Sequence, residues 1–261
     1  MNTDSESKLH TPYKKRYLHY SLFVVLLATT FFLWRYLYLS EKEYRNHRFN
    51  DETEHIIAEL EEELVLYKVL LNAAVGVFTA SDEVNRSEWR LFNKYQKITT
   101  EFPDFQSLCY IPVIKKEQAS AHLKGIWAQG FNKYEIIPEG TREIYAPVTF
   151  IEPLDSVNII HLGNDYFANP VRRVAMERAR DTGGAALSGE VGIFNGQSVM
   201  PGFMMVAPVF RKGVLPINQE ERQREIAGFI AVNIETGKFT EAVFRKKPHI
   251  LNVMLYDIDS A

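Results

Sequence analysis

Residues 161–184, HLGNDYFANPVRRVAMERARDTGG, mark the change from a strand to a helix that sets the fold of the soluble part of the chain. Asn169 is a favourable N-cap, and Pro170 suits the first helical turn, where a missing N–H costs nothing. Gly183 ends the predicted helix, because glycine readily adopts the conformation of a C-terminal cap. Asp165 therefore lies in the loop between strand and helix, at the sheet edge. The apolar stripe of the helix comprises Val171, Val174, Ala175 and Ala179, and its charged face, directed to solvent or a neighbour, comprises Arg172, Arg173, Glu177 and Arg180.

Six short runs rich in β-branched and aromatic residues are predicted strands. They are residues 107–113, 145–150, 157–162, 203–210, 228–234 and 250–256. Three of them contain an internal proline, at Pro112, Pro147 and Pro208. Because proline removes a ladder donor, these strands should be edge strands or bulged, as in small, curved antiparallel sheets. The pattern predicts an α+β fold with one or two such sheets.

Three further helices are marked by their local sequence. Asn85 offers a side-chain cap and Glu88 lies three residues on, which is the pattern of a capping box opening a helix. A second helix is predicted over residues 115–129. Residues 218–224 form a charged surface helix or linker, and residues 236–238 a turn.

Residues 41–81 form a long, proline-free stretch that predicts one helix, a stalk. Apolar residues recur along it at alternating intervals of three and four, as in a heptad seam. The seam comprises Ile57, Leu60, Leu64, Tyr67, Leu71, Ala74 and Phe78. It could pack on the protein's own core or pair with the same helix of a second subunit. We favour the second interpretation, a homodimer joined by residues 57–71, since the seam begins before the globular part can cover it.

Residues 17–34 contain no Asp, Glu, Lys or Arg, and three basic residues precede them. A span of this length crosses the hydrocarbon core of a bilayer, so residues 17–39 are predicted to be a transmembrane helix. A cleaved signal peptide is the main alternative, but the nearest small residues, 28–30, lie in mid-span. The basic residues that flank the span weakly favour a cytoplasmic segment at residues 1–16 and an exported domain from about residue 40.

Composition excludes several classes of protein. The chain has 261 residues, is 46% hydrophobic and carries a net charge of −3, which suits a folded domain and gives no basic face for nucleic acid. Cys109 is the only cysteine, so no intrachain disulfide is possible. An exported domain without disulfides is ordinary in a bacterial periplasm, which favours the inner membrane as the location.

Short motifs in a fixed order resemble the CHASE sensory domains, which lie outside the membrane in plant cytokinin receptors and many bacterial signalling proteins. The resemblance covers roughly residues 71–260. Its motifs are EFP at 101–103, YIPV at 110–113, YAPV at 145–148, GND at 163–165 with Arg173, ARDTG at 179–183, LS at 187–188, PVF at 208–210, GFI at 228–230 and YDI at 256–258.

The resemblance implies a stalk helix over residues 40–84 and two PAS-like units. A membrane-distal unit, residues 85–212, would bind a small ligand, and a membrane-proximal unit would cover residues 213–261. The family's proteins continue with a cytoplasmic output, commonly a histidine kinase or a diguanylate cyclase, which is expected outside this chain.

Asp165 matches the aspartate that binds adenine-type ligands in the cytokinin-receptor branch, so the resemblance implies an adenine derivative as ligand. A carboxylate can accept hydrogen bonds from a purine edge, but Asp165 could equally tie down the loop before the helix. Candidates for an apolar pocket wall are Tyr145, Leu187, Ile193, Phe194, Met204 and Val206. Plant receptors carry a threonine where this chain has Val206, a departure that argues against cytokinin itself.

No catalytic constellation is evident in the sequence. The seven histidines have no metal-ligand spacing, no phosphate-binding glycine loop occurs, and we predict neither a metal nor a cofactor. Two rival interpretations remain, a membrane-tethered adhesion or assembly module without a small ligand and a tethered periplasmic enzyme. The former should show an exposed apolar patch, and the latter convergent titratable groups in a cleft.

Overall fold

A computed structural model of the chain describes residues 13–102 and 105–244 and confirms the α+β class. The helices are α1 Tyr13–Ala80, α2 Arg86–Tyr95, α3 Ile98–Glu101, α4 Ala119–Ala128, α5 Pro170–Thr182, α6 Gln219–Glu225 and α7 Thr236–Phe244. The strands are β1 Phe105–Pro112, β2 Ile114–Lys115, β3 Ile144–Tyr145, β4 Phe150–Glu152, β5 Ala186–Leu187, β6 Val191–Phe194, β7 Val199–Phe210 and β8 Ile226–Glu235. Short 3₁₀ turns lie at Lys116–Gln118, Ile159–His161 and Tyr166–Ala168.

Six of the strands form one antiparallel sheet in the order β4-β1-β8-β7-β5, with β6 also paired to β7. The last strand in sequence, β8, lies in the middle. Pro112 and Pro208 each face β8 on one side only, because the outer partners β4 and β5 pair at Tyr110 and Val206 and go no further along those strands. The two prolines therefore remove no ladder bond on their open side. The prediction of edge strands holds only locally, because β1 and β7 lie inside the sheet as a whole, and Pro147 lies between β3 and β4 rather than in a strand.

Alternation along the strands divides the core between two sheet faces. One face, which we call the stalk face, packs against α1, α2 and α7 through residues such as Leu108, Met205 and Val232. The other, which we call the loop face, packs against α4, α5 and the chain between them through residues such as Met204 and Ala231. The candidate site lies on the loop face.

The described chain divides into two compact units, one ending at Glu59 and one beginning at Leu60. Within the second unit, α1 packs on the stalk face, where Tyr67, Leu71 and Ala74 are fully buried and Leu60 and Leu64 are partly buried. The heptad seam therefore serves the protein's own core at these positions, which corrects the predicted use of Tyr67 and Leu71 in a dimer. An apolar stripe of this spacing fits a sheet as well as a partner helix, since both need one continuous face.

Two of the predicted strands are wrong. Residues 145–150 form no continuous strand, because β3 ends at Tyr145, β4 begins at Phe150 and residues 146–149 lie between them. Residues 157–162 contain the 3₁₀ turn Ile159–His161 instead, because the Asp155 carboxylate accepts hydrogen bonds from the backbone N–H groups of Val157 and Asn158 and curls the chain. The predicted turn at residues 236–238 is the first turn of α7. The predicted strand at residues 250–256 lies outside the described residues.

The helix boundaries follow the capping signals. Asn85 and Glu88 form the predicted capping box of α2, and Asn169 caps α5, which ends at Gly183 in the left-handed conformation. Residues 115–129 contain a 3₁₀ turn followed by the shorter α4, and Asn218 caps α6.

The expected boundary near residue 212 does not separate two sheets among the described residues. β8, which follows that boundary, lies between β1 and β7, which precede it. The membrane-proximal unit at residues 213–261 remains a prediction, because residues 245–261 lie outside the described part of the chain.

Two helical segments, His19–Glu41 and Arg48–Ala80, are long and apolar enough to span a membrane. The first has no buried residue, whereas the second includes residues buried on the stalk face. The first is therefore the better candidate for the predicted span.

Candidate functional site

A cavity of about 390 Å³ lies on the loop face, beside the first turn of α5. Five stretches of the chain form its wall: the start of β1, the loop at residues 137–138, the segment 161–172, strand β6 and strand β8. Its polar lining residues are Gln106, Ser107, His161, Asn164, Asp165, Tyr166, Asn169, Arg172 and Asn233. Ile137, Pro138, Ala168, Pro170, Ile193 and Phe194 give it an apolar side.

Asp165 lies at this cavity with its side chain fully buried. Its Oδ1 accepts hydrogen bonds from the backbone N–H groups of Ala146 (2.8 Å) and Phe167 (3.1 Å). Its Oδ2 accepts one from Nε of Arg142 at 2.9 Å. Three donors and one positive charge therefore compensate the burial of the carboxylate. A carboxylate offers about four lone-pair positions, so one acceptor position remains.

Arg142 and Tyr145 hold the loop that precedes β3. The Arg142 guanidinium also donates to the Pro138 carbonyl, and its backbone N–H donates to the Tyr145 hydroxyl at 3.0 Å. That hydroxyl in turn donates to the Gly140 carbonyl at 3.1 Å. The loop and the 161–167 segment are thus joined through Asp165, which supports the loop-tying role weighed in the sequence.

A row of polar groups crosses the sheet beneath the cavity. Ser107 on β1, Asn233 on β8 and Met204 on β7 are direct cross-strand neighbours on the loop face. The buried Asn233 amide donates to the Ser107 hydroxyl and to the Tyr166 hydroxyl, both at 3.1 Å. Its Oδ1 accepts a hydrogen bond from Nη1 of Arg172 at 2.8 Å. Both polar atoms of the amide are therefore hydrogen-bonded, as a buried amide requires.

Ionisable groups around this network are held neutral. Burial raises the pKa of the Cys109 thiol to about 11 and that of Tyr166 to about 12, although the positive charge of Arg172 opposes both shifts. Burial also lowers the pKa of His161, and Arg172 lowers it further. At neutral pH the fixed charges of the cavity wall are therefore those of Asp165 and Arg172.

The structure brings three of the predicted ligand residues together, Asp165, Ile193 and Phe194. The other four lie elsewhere. Met204 and Val206 are fully buried in the core under α5. Tyr145 ties down its own loop, and Leu187 lines a different cavity of about 570 Å³ next to α1. Met204 and Val206 share the loop face with the cavity but are covered by α5. Leu187 lies away from the cavity because β5 and the cavity-lining strand β6 pair with different parts of β7.

Sequence reasoning missed Arg172, Tyr166, Ser107 and Asn233. The helix pattern directs Arg172 to solvent or a neighbour, whereas its first-turn position lets the side chain reach the sheet. Asn233 did carry a signal, since an amide inside the otherwise apolar run of residues 228–234 must find partners when buried.

Among the described residues, no group of three or more His, Cys, Asp and Glu side chains could hold a metal ion. The cavity wall holds one carboxylate, engaged by Arg142, and one imidazole, so a positioned acid–base pair is absent from the described part of the cavity.

Comparison with known proteins identifies a matching domain family. The model of the CHASE domain family matches residues 82–261. No curated protein sequence matches the chain. Among solved structures, one described as "Methyl-accepting Chemotaxis protein X" aligns with 79% of this chain and 69% of its own, at 10% sequence identity and a TM-score of 0.43.

Proposed function

The chain belongs to the CHASE domain family, the sensor domains of signalling receptors, and from this premise we propose that it binds a small ligand in the loop-face cavity and signals across a membrane. The observation that carries the proposal is the cavity itself. Its size lies in the range of small-molecule sites, and it combines an apolar side with converging polar groups.

The ligand class implied by the family resemblance is an adenine derivative. Asp165 lines the cavity together with Asn164 and Asn169, and these side chains are of the types that pair with the edge of a purine. We therefore propose that Asp165, Ile193 and Phe194 contact the ligand, while Tyr145 and Arg142 hold the loop that shapes the site.

Calorimetry tests both the cavity and the ligand class. The full chain in lipid nanodiscs would be titrated with adenine and an N6-alkyl adenine. Ala168→Phe would place a ring in the cavity and abolish binding, whereas Ala128→Phe, at an exposed end of α4, would leave it unchanged. Equal binding by the Ala168→Phe variant would overturn the cavity assignment, and absence of binding to the wild-type chain would remove the adenine class.

The signal would pass through the sheet. Asn233 faces the cavity, while its strand neighbour Val232 lies on the stalk face, against which α1 packs. A ligand shifts such an equilibrium only by its differential affinity for the two states, so a coupling of about 1–3 kcal/mol would change output about 5- to 100-fold. The output we propose is a histidine kinase or a diguanylate cyclase.

We place the sensor in the periplasm of a bacterium, anchored in the inner membrane by the His19–Glu41 segment. The tyrosine and tryptophan rings near both ends of that segment and the basic residues before it support the anchor. Cysteine labelling from outside intact cells would test it: Lys124→Cys, exposed on α4, should react with a membrane-impermeant maleimide.

A homodimer is proposed through the solvent-exposed face of α1 rather than through the buried seam. Val65, Leu66 and Val69 are exposed apolar residues, and Asn72 and Gly76 continue the face at heptad spacing. An added Cβ at Gly76 would meet nothing within 4 Å, so a partner helix could approach closely there.

One observation favours a second function, an adhesion or assembly module. The loop between β7 and α6 exposes Leu215 at 91% and Ile217 at 84% of their surface. Under this alternative, the Leu215→Asp and Ile217→Asp double variant would lose assemblies larger than a dimer in light scattering, and the chain would bind no small-molecule probe.

A further inference from the structure

Arg172 differs from the other arginines near the site in having no counter-ion among the described residues. Its neighbours on α5, Arg173 and Arg180, pair with Glu177 and Asp181, and Arg142 pairs with Asp165. Arg172 instead contacts neutral groups, the Asn233 amide at 2.8 Å and the Tyr166 ring at 4.2 Å. A half-buried cation beside a cavity without a counter-ion is costly unless an anion completes the site.

The Arg172 guanidinium is held ready for such an anion. Asn233 fixes Nη1, and Asn233 is itself fixed by Ser107 and Tyr166. The remaining donors, Nε and Nη2, have no hydrogen-bond partner in the described part of the chain. A planar guanidinium binds a carboxylate or a phosphoryl group through two parallel hydrogen bonds, and a fixed one loses less entropy in doing so.

The charge of the cavity also favours an anion. Asp165 is balanced by Arg142 at 2.9 Å, and His161 is neutral at pH 7 because burial lowers its pKa. This leaves the positive charge of Arg172 uncompensated at the wall. Ile193, Phe194 and Ile137 supply an apolar surface on the same cavity, which suits the body of the ligand.

We propose that the ligand of this cavity carries a carboxylate or phosphoryl group that binds Arg172, with an apolar or aromatic body against Ile193 and Phe194. The inference rests on the proposed ligand-binding function and adds its charge class. It does not depend on a purine, because the anion and the position left at Asp165 are different parts of the site.

The test uses three probes of similar size with the full chain in nanodiscs. Phenylacetate and phenyl phosphate carry the two anionic groups, and phenylacetamide is the neutral isostere of the first. We expect the anions to bind about 10- to 100-fold more tightly than the amide, the range for a hydrogen-bonded charge. Whether phenylacetate or phenyl phosphate binds more tightly would distinguish a carboxylate ligand from a phosphoryl ligand.

Variants assign the preference to its residue. Arg172→Gln should remove the preference for anions over the amide, Arg172→Lys should keep part of it as a point charge, and Arg173→Gln, next in sequence and exposed, should leave it unchanged. Far-ultraviolet circular dichroism of each variant checks that it folds.

The possible outcomes distinguish the role of Arg172 in anion binding from the proposed binding of a ligand in the loop-face cavity. Anion binding that survives in Arg172→Gln but is lost in Ala168→Phe would overturn the role of Arg172 and keep the cavity. Anion binding that survives in Ala168→Phe would contradict the cavity itself. Equal affinity for phenylacetate and phenylacetamide, or no binding of either anion at millimolar concentration, would overturn the charge class.

Discussion

At the scale of single residues, the site depends on buried polar groups that have fixed partners. Asp165 accepts three hydrogen bonds, and Asn233 uses both ends of its amide. Such groups cost stability when a partner is lost, because the remaining group stays desolvated. Substitutions here should therefore affect stability as well as binding, and the two effects can be measured separately.

Asp165→Ala should destabilise the protein by about 3 kcal/mol, because the Arg142 charge and two backbone N–H groups lose their acceptor. Urea unfolding followed by circular dichroism measures the change. Asp82→Ala is the matched control, since that carboxylate is 93% exposed and pairs with Lys212 at the surface, and it should cost less than about 0.5 kcal/mol. Equal losses in the two variants would show that the Asp165 network does not stabilise the fold.

We expect the protein to lose stability in mild acid because of the buried His122. Its Nε2 lies 3.1 Å from the Tyr134 hydroxyl, and burial, with the nearby positive charge of Arg86, lowers the pKa of His122 to about 4. The unfolded chain takes up this proton near pH 6.5 and the folded chain only near pH 4, so stability present above pH 6.5 falls as the pH drops through this window.

Between pH 7.5 and pH 5, His122 should cost roughly 1.5 kcal/mol, allowing for its partial exposure. Urea unfolding at both pH values measures this, and His122→Gln, which keeps a polar partner for Tyr134, should lose correspondingly less. His161, whose pKa is also lowered, contributes in the same direction. A pH dependence that is identical in the His122→Gln variant would contradict the assignment.

At the scale of elements, the site is built where two irregular segments meet. The backbone of residues 135–137 approaches residues 163–165, with hydrogen bonds from the Ile137 N–H to the Gly163 carbonyl and from the Asp165 N–H to the Ile137 carbonyl. Gly163 has a φ of +86°, and a Cβ there would lie 1.8 Å from the Glu135 carbonyl oxygen. Only glycine permits this approach.

Gly163→Ala should cost at least about 3 kcal/mol, since it adds both a clash and the strain of a positive φ. Gly130→Ala is the control, because Gly130 has a φ of +92° but open space around it, and should cost about 1 kcal/mol. Thermal unfolding of both variants isolates the contribution of the close approach. Similar losses would mean that backbone strain alone matters.

The helices with a local capping signal could be predicted from the sequence, whereas α3, α7 and the short strands could not. Asn85, Asn169 and Gly183 act within a few residues, so their signals are complete in the local sequence. β5 and β6 have two and four residues, and they exist because β7 pairs with them. Residues 157–162 have the composition of a strand, but the Asp155 cap decides their conformation.

At the scale of the whole molecule, one sheet serves two purposes. Its stalk face buries α1, and its loop face carries the cavity. Family membership was evident from the order of the motifs in the sequence, whereas the polar row of Ser107, Asn233 and Arg172 was not. These residues are 61 to 126 positions apart, and the register of β1 with β8 and the packing of α5 on the sheet bring them together.

The proposed dimer makes a prediction at this scale. Val65→Cys and Val69→Cys, on the exposed face of α1, should form disulfide-linked dimers under mild oxidation of the full chain in membranes. Lys124→Cys on α4 is the exposed control and should not. The native Cys109 is fully buried and does not compete, because burial also raises the pKa of its thiol to about 11. Equal cross-linking at all three positions would contradict an interface on α1.

The central position of β8 also bears on biosynthesis. Until residues 226–235 leave the ribosome, the β4–β1 pair and the β5–β7 group have no strand to join them. β1 must then wait for its second partner, β8, more than a hundred residues downstream, and contacts of such long sequence separation slow folding. Nascent chains arrested before residue 226 should be digested by protease throughout the domain, and those arrested well beyond residue 235 should resist.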